Sequence, residues 1–113
     1  MTSLTHRMVR NDLLPDLSIV CTYADGTAVD LSAATSPKFY MRNAHDASAA
    51  PKVDASATIS DGANGELTYS WQSGDTDTAG SYVAEFEVQI SGRRFTFPTG
   101  SQIMKVVIRP DIA

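Results

Sequence analysis

One cysteine, two histidines and no long apolar run set the first limits on this chain. A lone Cys21 cannot close an internal disulfide, which fits a reducing compartment. No His or Lys stands within several residues of it to lower its pKa, so a buried, inert thiol is expected. The opening segment, MTSLTHRMVRNDLLPDL, has neither a sustained apolar stretch after its basic residues nor a small-residue cleavage site, and does not read as a signal peptide. Apolar runs of only a few residues offer no membrane-spanning helix. Basic residues are scarce too. Nine Lys and Arg against 13 Asp and Glu give a formal net charge of −4, which opposes a phosphate backbone, so neither nucleic acid nor membrane is an expected partner. The one adjacent basic pair, Arg93-Arg94, follows Ser91-Gly92 and is expected on the solvated shoulder of a hairpin.

What is present points to a single all-β domain. The 113 residues suffice for one hydrophobic core, and the hydrophobic periodicity is two almost throughout. Leu17, Ile19, Cys21 and Tyr23 alternate with Ser18, Val20 and Thr22 over residues 16 to 23, and Asp25-Gly26 then signals a tight turn. A short return strand is expected over 28 to 31, then strands over 38 to 42 and 53 to 60. The segment NAHDASAAP, 43 to 51, is a loop, and Asn64-Gly65 a second turn. Leu67, Tyr69 and Trp71 form one face of the next strand, and Tyr82, Ala84, Phe86, Val88 and Ile90 one face of the cleanest strand in the chain. Segments 94 to 97 and 102 to 109 complete the set. The expected fold is an immunoglobulin-like β-sandwich of seven to eight short antiparallel strands over residues 15–109. Residues 1–14 carry Leu4, Met8, Val9, Leu13 and Leu14 without clear periodicity and are expected to form an N-terminal arm, with 110–113 a C-terminal tail.

The segment WQSGDTDTAGSYVAEFEV, 71 to 88, holds the one loop that resembles a ligand site. Asp75 and Asp77 alternate as calcium-binding carboxylates do, but the twelve-residue calcium loop requires a closing Glu where this chain has Phe86. The better fit is a corner, in which a Tyr near the start of a late strand returns its hydroxyl to the preceding backbone. Asp77, Gly80 and Tyr82 match that pattern, and Trp71 is expected to fill space beside them. His6 in the arm and His45 in a loop lack the spacing of a zinc site. There is no Gly-x-Ser-x-Gly elbow and no Walker-type phosphate loop. We therefore expect no catalytic residue, cofactor or metal ion.

Taken together, LPDLSIVCTYADGTAVDLSAAT, FYMRNA and GELTYSWQSGDTDTAGSYVAEFEV resemble an immunoglobulin-like structural family of tailed bacteriophages, similar to the N-terminal domain of baseplate upper proteins. The resemblance spans roughly residues 13 to 108. It rests on Asp25-Gly26, Val29-Asp30-Leu31, Met41-Arg42 and Tyr69-x-Trp71, with Gly74-Asp75-Thr76 leading to Gly80-x-Tyr82 and Phe86. It implies a non-enzymatic virion protein, assembled in the host cytoplasm. Such a subunit would be an adaptor or decoration protein in symmetric multi-copy contact with neck, tail, baseplate or capsid proteins. Met8, Val9, Leu13 and Leu14 of the arm, with Ile112 of the tail, are the expected partner contacts. The alternative is a carbohydrate-binding module aiding host-surface attachment, with Tyr40, opposite in facing to Phe39, as its aromatic platform and Trp71 as a fluorescent reporter.

Overall fold

The computed structural model describes residues 3–99 and 102–112; residues 1, 2 and 113 of the expected arm and tail, and the 100–101 segment, lie outside the described residues. It is all-β, two sheets packed face to face. Among the described residues there are nine strands: β1 (Ser3–Val9), β2 (Leu17–Val20), β3 (Ala34–Asn43), β4 (Val53–Ser56), β5 (Thr58–Asp61), β6 (Glu66–Tyr69), β7 (Gly80–Ile90), β8 (Arg93–Phe97) and β9 (Ile103–Arg109). The larger sheet runs β1-β9-β7-β3-β4, with β8 also on β7, and the smaller runs β2-β6-β5.

Alternation builds the core, because every second side chain of a strand points the same way. Leu17, Ile19, Leu67 and Tyr69 of the small sheet meet Phe39, Met41, Phe86, Val88, Met104, Val106 and Ile108 of the large one, all buried. Phe39 stacks on Tyr69 with ring centroids 4.4 Å apart, and Phe86 packs at 5.0 Å on the other side of the cluster. Each such aromatic pair adds about 0.5–1.5 kcal/mol beyond the area it removes from water. The outward positions of the small sheet are polar: the Ser18, Thr68 and Ser60 hydroxyls hydrogen-bond in sequence across its three strands at 2.8 Å each.

Three features depart from the sequence expectation. Half of the expected arm is strand β1, paired in parallel with β9 from Ser3 against Ile103 to Val9 against Arg109. Leu4, His6 and Met8 share one face, Met8 buried and Leu4 exposed at its end, and a histidine in the middle hides the apolar alternation. The single strand expected over 53 to 60 is two. β4 pairs with β3 in one sheet and β5 with β6 in the other, the chain changing sheets at Ala57, whose N–H bonds the Pro37 carbonyl at 2.9 Å. Val53, Ala55, Ala57 and Ile59 keep facing the core through the crossing, so periodicity alone shows no break. The return strand expected over 28 to 31 reduces to one bridge, Thr22 with Ala28, although Val29 and Leu31 are buried.

The turns follow their residues. Ser91 and Gly92 have φ of 52° and 76°, a two-residue type I′ turn between the paired Ile90 and Arg93. Gly65 (φ 75°) is needed for space as well as conformation: a Cβ there would stand 2.6 Å from the Val29 carbonyl oxygen and 2.9 Å from that of Cys21.

Candidate functional site

Two surfaces stand out, one at an end of the sandwich and one on a sheet face. At the end, β1 and β9 stop side by side, and the chain beyond each is tied to the other. The Arg10 N–H bonds the Arg109 carbonyl at 2.8 Å, and the Arg10 guanidinium meets Asp111 Oδ1 at 2.6 Å. Both side chains of that ion pair are partly exposed, so it adds little stability and acts mainly to set position. Asn11 donates its N–H to the Thr76 carbonyl, and the buried Thr76 hydroxyl donates to the Asp12 carbonyl at 2.8 Å. The β1–β2 link is thus strapped to the β6–β7 loop. That strapping leaves Leu13, Leu14 and Ile112 at one end with exposures of 40%, 73% and 97%.

The expected partner contacts therefore divide. Leu13, Leu14 and Ile112 are available. Met8 is not: it is 5% exposed and belongs to the core, because β1 is a sheet strand rather than a free arm. Val9 is half-buried against Arg109.

The β6–β7 loop beside this end is held by its own side chains. The Tyr82 hydroxyl donates to the Thr78 carbonyl at 2.7 Å, closing the corner four residues upstream. Gly80 opens β7 opposite Ile108. Asp75 accepts from the Tyr69 hydroxyl at 2.5 Å and from the Gln72 N–H at 2.9 Å, while Asp77 pairs with Lys52 at 2.6 Å and accepts from the Thr78 hydroxyl. The two carboxylates thus serve different protein partners. Burial, then the hydrogen bond to Asp75, pushes the Tyr69 phenol pKa up; the Lys52 hydrogen bond, then that from Thr78, holds Asp77 below the usual carboxylate range.

Trp71 is buried, edge-on to Phe39 and Tyr69 at 5.7 and 5.3 Å. His6, expected in the arm, stacks on it at 5.9 Å between centroids, and neither His6 Nε2 nor Trp71 Nε1 has a hydrogen-bond partner among the described residues. Burial lowers the His6 pKa, opposed by hydrogen bonding with the Pro15 backbone. His45 lies exposed in the β3–β4 loop. Cys21 is buried, and desolvation pushes its thiol up to about 12, so it is unreactive at neutral pH.

The second surface is the outer face of the large sheet. Tyr40 stands directly across from Glu85, Arg42 from Val83 and Lys38 from Glu87. Against β7, Phe97 of β8 faces Phe86 and Met104 of β9 faces Ala84, so Glu85 lies between the two pairings. With Pro51 of the β3–β4 loop on one side and Pro98, Gln102 and Ile103 on the other, this face forms a groove of about 680 Å³. Of its polar residues, sequence reasoning singled out only Tyr40 as a binding residue. Arg42, Glu85, Glu87 and Arg94 alternate with core positions like any solvated residues, and only long-range strand pairing brings them together.

A scan against protein-family models and a search of curated proteins returned no match for this chain.

Proposed function

We propose that this protein is a non-enzymatic structural subunit of a tailed-bacteriophage particle, an adaptor or decoration protein that binds neck, tail, baseplate or capsid proteins. The observation that carries the proposal is the exposure of Leu13, Leu14 and Ile112 on segments that the Arg10–Asp111 and Thr76–Asp12 contacts anchor at one end of the sandwich. Apolar side chains on anchored segments lose less conformational entropy on docking than side chains on a free arm. The sequence resemblance to the phage immunoglobulin-like family supplies the kind of assembly. The edges of the two sheets, β1, β4 and β8 in one and β2 and β5 in the other, offer further contact by strand addition. Particle sites of this kind are rotationally symmetric, so many copies would dock alike, each by binding alone.

Cryo-electron microscopy of the intact particle from the phage that encodes the chain tests this directly. The expected result is density for the sandwich in a capsid, neck or baseplate ring, with its Leu14 end against a neighbour. A complete particle without it would refute the virion role.

A further inference from the structure

We infer that the groove on the outer face of the large sheet is a binding site for a short, neutral saccharide. The inference is independent of the virion reading, since it uses a sheet face and not the Leu14 end.

Size sets the first limit. At about 680 Å³ the groove falls within the ~300–1,000 Å³ of small-ligand clefts. Charge sets the second. Glu85 and Glu87 line it with Arg42 and Arg94, two of each sign, so the field favours neither a strong anion nor a strong cation. A phosphorylated or nucleic-acid ligand would meet both carboxylates. A neutral ligand meets no such opposition.

The hydrogen-bonding chemistry then selects among neutral ligands. Ionised carboxylates only accept, guanidinium groups only donate, and the Gln102 amide does both. A surface that interleaves these groups suits a ligand whose every polar group both donates and accepts, as sugar hydroxyls do. Tyr40 supplies the aromatic surface against which the C–H face of a pyranose packs. One face of that ring is already taken: Asp54 holds Lys38 at 2.8 Å, and the Lys38 ammonium lies over the Tyr40 ring, 5.6 Å from its centroid, so a sugar would pack on the other face. Arg42 Nη1 is held in turn by the Asn43 and Asp46 carbonyls at 2.9 and 3.3 Å. Pro51, Pro98 and Ile103 provide apolar flanks.

Backbone amide NMR of the ¹⁵N-labelled chain, titrated with maltotriose, cellotriose and triacetylchitotriose at millimolar concentrations, is the test. At least one should shift the amides of residues 40–42 and 83–87 in a saturable way. Tyr40→Ala should weaken that binding by about tenfold or more. Glu85→Gln, which keeps the shape, should weaken it with an unchanged spectrum elsewhere. No saturable shift with any of the three sugars, shifts confined to other surfaces, or affinity unchanged by both substitutions would overturn the assignment.

Discussion

Single residues here are decided by the partners they keep, and Tyr82 is the clearest case. Its ring is part of the core while its hydroxyl holds the Thr78 carbonyl at 2.7 Å. Tyr82→Phe keeps the ring and removes the hydrogen bond, so the stability measured by urea unfolding should fall by about 1 kcal/mol with an unchanged slope. An unchanged midpoint would mean that the corner contributes nothing. The Asp-x-x-Gly-x-Tyr spacing made this residue legible, because a local bond over four residues leaves a local signature. His6 left none. Its burial comes from Trp71, 65 positions away in sequence by their numbers, stacked at 5.9 Å, and nothing near His6 in the chain announces that contact.

At the scale of elements, legibility follows the same division. β7 showed itself because its inward Tyr82, Ala84, Phe86 and Val88 alternate without interruption, and the β7–β8 turn because Ser91-Gly92 fits a two-residue hairpin. The sheet change at Ala57 was invisible because the inward residues keep their phase across it. β1 was invisible because His6 occupies a core-facing position. That same histidine makes β1 pH-sensitive. Burial sets its folded pKa below the ordinary 6.5, so the neutral ring is favoured in the folded state. Its contribution is fully present above pH 6.5 and is lost as pH falls below that value, where the unfolded chain takes up the proton first. Asp25, Asp30, Asp77 and Asp111 have pKa values depressed from 3.8, so their contributions are lost only in more acidic solution and stay constant between about pH 5 and 8. In that window the wild type should lose stability on acidification and His6→Phe should lose less, as read from urea midpoints at pH 8 and pH 5. Equal losses would remove His6 as the cause.

Across the whole molecule, the ion pair at one end and the groove on one face mark two surfaces that the sequence could not separate. Leu13, Leu14 and Ile112 stood in an expected arm and an expected tail, and only the pairing of β1 with β9 puts the ends of both segments together. If that end is the docking surface, charging it should leave the fold intact and abolish assembly. Leu14→Asp combined with Ile112→Asp alters two side chains that are 73% and 97% exposed, and exposed positions usually change stability by no more than about 0.5 kcal/mol. Thermal unfolding of the double variant should therefore match the wild type. Particles assembled with the variant as the sole copy should lack the subunit after sedimentation, because each carboxylate would have to be desolvated against an apolar partner surface. Tyr40→Ala, on the opposite kind of surface, should be incorporated normally. Normal incorporation of the charged variant would show that particle contacts lie elsewhere, with the unpaired sheet edges the surfaces to probe next. Loss of both variants would instead point to contact through the sheet face, and would place the groove inside an assembly interface.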